Sequence, residues 1–340
     1  MTTLIHWFRR DLRVRDNTAL SSAARDADRV VPVFVLDDHY ADDPNVGPAR
    51  FRFLRESLEV LAAELAALGG RLVLRPGPAA RALPELVRET GASAIYANAE
   101  IGPYPERRDR EAGDAIAAAG ARLRLFPDAL LVEPDALTTA AGDPYTVYTP
   151  FSRKWLAAEK RDPEPSPAAL ESSELSVRSV PMERVKAWRS LPSESHPSAP
   201  RGGEREALAL LACFLEGVSA PIARYAGDRN RPDRAGTSRL SPHLHFGTIS
   251  PRTIRAAAEA AWRDSGPEAR GGVEKFVLEL AWREFYHHVL FHFPRVAAES
   301  FRREYDLLPW RANPDGLDAW KRGATGYPLV DAAMRELSTT

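Results

Sequence analysis

Five short apolar runs punctuate the first third of the chain, and the residues between them repeat at helical spacing. Leu4–Phe8 and the β-branched Val30–Leu36 read as strands, as do Arg71–Leu74, Ala94–Ala97 and Arg122–Phe126. Leu54, Leu58, Leu61, Leu65 and Leu68 lie three or four residues apart, and Gly69-Gly70 ends their helix. Residues 79–90 and 105–119 read as helices closed by Gly91 and Gly120. Parallel strands need long crossovers, usually helical, so this alternation predicts an α/β unit: a parallel five-stranded sheet with helices on both faces. Neither a GxGxxG turn nor a Walker A loop accompanies the strands, so a dinucleotide site of that kind is not expected.

The pattern then changes. Residues 161–203 hold seven Pro and nine Ser, which predicts a long connector draped over the surface. Strand signals stop after it, and Ala207–Leu215, Pro251–Ala261, Val273–Phe291 and Tyr327–Leu337 read as helices. The expected organisation is an α/β domain over 1–130, a connector over 131–203 and an all-α domain over 204–340.

Bulk properties narrow the class. The 340 residues suffice for two cores, and 44% hydrophobic with 27% charged residues is ordinary for a soluble protein. No apolar run is long enough for a membrane span, and Arg9, Arg10, Asp11 and Arg13 interrupt what would be a secretion signal. The lone Cys213 excludes an internal disulfide and fits a reducing cytoplasm; Leu210, Leu211, Phe214 and Leu215 around it suggest an inert core thiol. The net charge of −1 announces no nucleic-acid partner, although the basic excess lies in the second part of the chain.

Three stretches could carry chemistry. Gly236-Thr237-Ser238-Arg239-Leu240-Ser241-Pro242 is a small-residue loop with hydroxyls and clustered backbone N–H groups, suited either to a helix cap or to an anion cradle. Arg224, Arg229, Arg231, Arg234 and Arg239 are opposed there only by Asp228 and Asp233, as a solvated loop or as a contact for DNA phosphates. Glu279 and Trp282, three residues apart, share a helix side with Phe276 and Tyr286 nearby, as a core face or as a polar-aromatic pocket wall. The spacing of His243, His245, His287, His288 and His292 is not a zinc pattern, so no metal is expected, and no GxSxG elbow supports a hydrolase.

These runs, with His6-Trp7-Phe8-Arg9-Arg10-Asp11-Leu12-Arg13, resemble the cryptochrome/DNA photolyase family from residue 4 to the last residue, and within it a class I cyclobutane pyrimidine dimer photolyase. The resemblance implies a lyase that repairs pyrimidine dimers in DNA by light-driven electron transfer from reduced FAD; a cryptochrome photoreceptor is the alternative, disfavoured by Glu279 and Trp282 together. It implies that Tyr225, Thr237, Ser238, Leu240, Ser241, Phe276, Glu279, Arg283 and Tyr286 hold FAD. Glu279 would hydrogen-bond the dimer, as a donor if protonated, Trp282 would pack on its apolar face, and Arg229 would contact DNA. Trp310 matches the outermost tryptophan of the family's electron path. Tyr104-Pro105-Glu106-Arg107-Arg108-Asp109 resembles the antenna region, with Ala298 where folate-binding relatives carry lysine, so a deazaflavin, a folate or an empty pocket is expected. A monomer is expected. So is weak or no FAD binding, because family members continue past Thr340 into further flavin-contacting residues, and an inactive fragment unable to hold FAD is a second alternative.

Overall fold

The computed structural model describes residues 1–37, 46–185, 198–217, 220–264 and 266–339. Strands β1 (Thr3–Phe8), β2 (Arg29–Leu36), β3 (Val73–Pro76), β4 (Ala94–Asn98) and β5 (Arg122–Phe126) form one parallel sheet in the order β3-β2-β1-β4-β5. Helices α1 (Thr18–Asp26) and α2 (Pro48–Ala67) cover one face, where Leu20, Leu58, Leu61 and Leu65 pack with Leu4 and Phe8. Helices α3 (Ala79–Thr90) and α4 (Pro103–Ala118) cover the other, with Leu83, Leu86 and Ile116 against Ile5, Val33 and Ile95. Burial on both faces is why β1 and β2 read as unbroken apolar runs. β3 starts two residues later than its apolar pattern: Arg71 and Leu72 are irregular backbone between the turn after α2 and the strand.

The chain leaves β1 for β2 on one side and later returns to β4 on the other. The carboxyl ends of β1 and β4 therefore flank a topological switch point, where open parallel sheets bind ligands.

The second part is helical: α5 (Tyr148–Ala157), α6 (Glu204–Leu215), α7 (Tyr225–Asp228), α8 (Ser241–Phe246), α9 (Pro251–Asp264), α10 (Pro267–His292), α11 (Pro314–Lys321) and α12 (Pro328–Thr339). α10 is its axis, apolar on several sides, with Phe276, Leu280, Ala281 and Phe285 packed on Phe151 and Trp155 of α5, Phe214 of α6 and Ile254 of α9. α5 lies where only connector was expected. Its apolar stripe is just Phe151 and Trp155, too short to register as a period, yet both are fully buried.

The connector is packed, not draped. Val30 N–H donates to the Leu170 carbonyl at 2.9 Å, Leu170 N–H to Leu68 at 2.7 Å and Val180 N–H to Leu74 at 3.0 Å. Leu170 and Val185 are buried in the sheet's core, so this strap closes the β3 side of the α/β unit; residues 186–197 lie outside the described residues. A Pro- and Ser-rich composition does not report such spaced apolar anchors. Cys213 is also not a core thiol. It is exposed, because α6 turns Ala207, Leu211, Phe214 and Leu215 inward and leaves Cys213 on the outer side.

Two buried polar clusters hold the halves together. At the interface, Arg252 of α9 pairs with Asp16 (2.8 Å) and Asp128 (2.7 Å), and Arg13 pairs with Asp128 at 2.5 Å. Gly247, at φ +66, lies against the backbone of Arg10, and a side chain there would run into the Arg10 carbonyl. Elsewhere Glu284 of α10 accepts from Leu131 N–H (2.5 Å), Val132 N–H (3.1 Å) and Trp155 Nε1–H (2.7 Å), tying residues 131–157 to the helical core. Burial raises its carboxyl to about 7, with the three donors and Arg283 offsetting only part of that. A raised carboxyl binds its proton more tightly in the folded state. The stability from this group is therefore fully present below pH 4.5 and lost as pH rises through about 7. In Glu284→Gln we expect a loss of about 1–2 kcal/mol, since the amide nitrogen faces a donor. Urea unfolding at acid and neutral pH should show that pH dependence flattened.

His288 binds the same segment. Its Nε2 accepts from Tyr145 N–H at 3.0 Å and its Nδ1 faces the Pro134 carbonyl at 3.2 Å, so both ring nitrogens have protein partners. No helix among the described residues is long and apolar enough to cross a membrane.

Candidate flavin and lesion site

One cavity of about 440 Å³ lies between the switch point of the sheet and the helical part. Its α/β wall is Arg10, Asp11 and Arg13 after β1, with Asn98, Ala99, Glu100 and Ile101 after β4. Its helical wall is one side of α10, where Phe276, Glu279, Leu280, Arg283 and His287 recur at helical spacing, together with Ser238, Leu240 and Ser241 at the start of α8. Tyr225 closes the end. It gets there because Gly272 of α10 lets residues 221–224 pack directly on the helix; a side chain at Gly272 would strike the Ile222 carbonyl.

The polar groups lining the cavity suit an anion. Arg283 donates from Nη1 to the Ala129 carbonyl at 2.9 Å, but no carboxylate among the described residues lies within ion-pair distance of it. Desolvation pulls its pKa below the ordinary arginine value; the neighbouring Glu284 charge offsets part of this and the Arg13 charge adds to it. A part-buried guanidinium with no ion-pair partner among the described residues, facing the same cavity as Ser238 and Ser241, suits a diphosphate. Tyr225 and Phe276, with ring centroids 5.7 Å apart, supply aromatic surface beside it. The residues present therefore fit the phosphate and ring portions of FAD. Thr237 is exposed and is not among the lining residues, and Arg239 adopts φ +53.

Glu279 marks the edge of the cavity. Arg229 of the α7 turn donates to its carboxylate and lies 5.6 Å over the Tyr225 ring. The Arg229–Glu279 pair must therefore open, or be shared, before Glu279 can act as the expected donor to a substrate. Burial and the Glu279 charge both raise the Tyr225 and Tyr148 hydroxyls above their usual value. Trp282 sits one turn on, outside the cavity lining. Its ring is stacked on Tyr148 of α5 with centroids 3.4 Å apart and planes 6° from parallel. Tyr286, expected in the pocket, is instead 64% exposed, 5.9 Å from Trp282.

The arginine loop is largely self-neutralised. Arg224 and Arg234 pair with Asp228 at 3.2 and 2.8 Å, Arg231 with Asp233 at 2.8 Å, and Arg239 approaches Glu336 at 3.8 Å. For Arg224, Arg231 and Arg234, neighbours in sequence take the charge that composition seemed to leave free. Trp310 is 83% exposed, on an irregular stretch before α11.

At the outer end of the switch-point crevice, Arg9 and Arg108 both lie over Trp7, at 4.5 and 5.0 Å. Glu100 pairs with Arg108 at 2.6 Å and Arg9 with Asp109 at 2.8 Å. The Tyr104–Asp109 run thus opens α4 beside a closed set of ion pairs, and an antenna pigment there would have to displace them.

Sequence reasoning missed Tyr148 and the whole α/β wall. The strand ends at the switch point were the available signal for the wall. For Tyr148 there was none, since its partner lies 134 positions away in the sequence.

Comparison with known proteins identifies the family. A model described as DNA photolyase matches residues 4–170, and one described as FAD binding domain of DNA photolyase matches residues 276–340. The deoxyribodipyrimidine photo-lyase of Halobacterium salinarum is 38% identical, covering 98% of this chain and 70% of its own length. Among solved structures, a bacterial class III photolyase from Agrobacterium tumefaciens has a TM-score of 0.88 at 33% identity, with all of this chain and 69% of that one covered. An archaeal photolyase from Sulfolobus tokodaii, described with two FAD molecules, has a TM-score of 0.82 at 32% identity, with 100% and 71% covered.

Proposed function

The chain belongs to the photolyase/cryptochrome family, and we propose that it is a DNA photolyase repairing cyclobutane pyrimidine dimers under light. FAD, when bound, supplies the excited electron that splits the dimer and receives it back. The observation carrying this reading is Arg283, with no ion-pair partner among the described residues, in a cavity whose rim bears Glu279 beside the Trp282 stack.

In this reading Arg283, Ser238 and Ser241 hold the diphosphate, while Tyr225, Leu240 and Phe276 fix the cofactor's apolar parts. A pyrimidine dimer must leave the duplex to reach the site, and the Trp282 face replaces its lost stacking. Arg229 trades Glu279 for a DNA phosphate, releasing the carboxyl group to hydrogen-bond the dimer. The remaining loop arginines position the backbone without reading sequence, as damage recognition requires. The lone Cys213 fits a reducing, cytoplasmic setting. A second pigment at the switch-point crevice would work as a light collector. The two FAD molecules named for the Sulfolobus protein make a flavin a candidate there, beside the expected deazaflavin or folate.

For the test, the chain is reconstituted with FAD, reduced and irradiated with an oligothymidylate bearing one dimer. We expect recovery of thymine absorbance, and a rate about tenfold lower in Glu279→Ala with flavin retained, the worth of one charge-assisted hydrogen bond. Repair at the parent rate in that variant would remove Glu279 from the mechanism. No repair by the flavin-loaded parent would sink the photolyase reading.

A further inference from the structure

We propose that Tyr148 is a positioning residue that selects the face of Trp282 open to a flipped pyrimidine, an inference resting on the photolyase reading above. Tyr148 opens α5, far in sequence from the helix that carries Trp282, and three observations tie it to that one indole. Its ring lies 3.4 Å from Trp282 at 6°, a face-to-face contact at base-stacking distance and much closer than the other ring contacts of Trp282, at 5.9 Å. Its hydroxyl donates to the Leu278 carbonyl at 3.0 Å, one turn before Trp282 on the same helix, so the ring cannot slide without breaking a hydrogen bond. Phe285 packs edge-on against both rings, at 5.8 Å from Tyr148 and 5.9 Å from Trp282.

The consequence is directional. A flat side chain on a helix surface has two faces and more than one rotamer. Tyr148 covers one face and holds the rotamer, with Tyr286 stacked more loosely at 5.9 Å and 24°, so a pyrimidine is directed to the indole surface that Tyr148 does not cover. The same hydroxylated ring is near enough to Glu279 and Arg229 for their charges to act on it. Tyr148 thus sets the stacking surface at a fixed offset from the carboxylate expected to hydrogen-bond the lesion. Recognition of a dimer needs both at once, whereas loose binding of undamaged DNA needs neither.

The test uses the full chain with 5-fluorotryptophan incorporated, the Trp282 signal assigned by its loss in Trp282→Phe. In Tyr148→Ala the Trp282 fluorine resonance should shift and average, while Tyr148→Phe, which keeps the stack, should leave it near the parent position. Binding to an oligothymidylate with one dimer should weaken about tenfold in Tyr148→Ala relative to the undamaged oligomer, with Tyr148→Phe restoring most of that ratio. An unmoved resonance in Tyr148→Ala overturns the proposal, and so does a moved resonance with the parent's dimer preference intact. If the parent itself shows no dimer preference, the photolyase reading fails, and the resonance alone decides whether Tyr148 positions Trp282.

Discussion

Replacing Arg252 with leucine is expected to lower stability by about 3–5 kcal/mol, measured by urea unfolding followed by fluorescence. Arg252 is 1% exposed and makes four hydrogen bonds: to the Asp16 carboxylate and carbonyl, and to the Asp128 carboxylate and carbonyl. Both carboxylates are themselves almost fully buried. Leucine would leave Asp16 without its guanidinium and Asp128 with Arg13 as its one remaining guanidinium beside the Thr18 donors, each still deprived of water. The pH behaviour identifies the cause. Burial works against ionisation of Asp128, but the charges of Arg13 and Arg252 overcome it and hold its pKa well below the ordinary 3.8. A depressed carboxyl contributes stability above pH 3.8 that is lost as pH falls through its folded value. Removing Arg252 reduces that contribution, so the gap between parent and variant should be widest near neutrality and narrow in acid. A gap independent of pH would place the damage in packing rather than in the charge network. Because Arg252 comes from α9 and Asp128 from the end of β5, the same substitution should loosen both walls of the cavity.

Arg283→Met should act on the cofactor and spare the fold. The guanidinium has one protein acceptor, the Ala129 carbonyl, and no counter-ion among the described residues. Desolvation depresses its pKa despite the Glu284 charge, and the Arg13 charge adds to this, so it sits in the flavin-free chain at a cost. Methionine fills similar length without the charge. We expect the flavin-free variant to melt within about 1 kcal/mol of the parent, the lost Ala129 bond offsetting the removed desolvation. FAD affinity, read by titration of flavin fluorescence, should fall about 100-fold, the size of a buried charge-assisted contact to phosphate. Riboflavin, which has no diphosphate, should bind parent and variant alike. Equal loss for riboflavin would mean that Arg283 shapes the pocket and does not read the phosphates. A large loss of stability without flavin would show that Arg283 has a counter-ion role in the fold itself.

Much of this protein was decided locally. The α/β unit followed from β-branched runs bounded by glycine and from leucines at helical spacing, because a sheet covered on both faces needs apolar residues all along its strands. The helix was legible over Val273–Phe291, six residues short of its start at Pro267, and with it the neighbourhood of Phe276, Glu279 and Arg283, since spacing along one helix fixes which side chains share a side. What the tertiary structure alone decided is pairing between distant segments. Whether Arg229 is free for DNA depended on Glu279, fifty positions on, and the two are joined. Whether Trp282 lines the cavity depended on Tyr148, which holds it against α5 instead. A Pro- and Ser-rich strap proved to be packed because Leu170 and Val185 find the sheet's core. Periodicity and propensity report on residues a few positions apart; ion pairs, stacks and cavity walls form between residues that only the folded chain brings within a few ångströms.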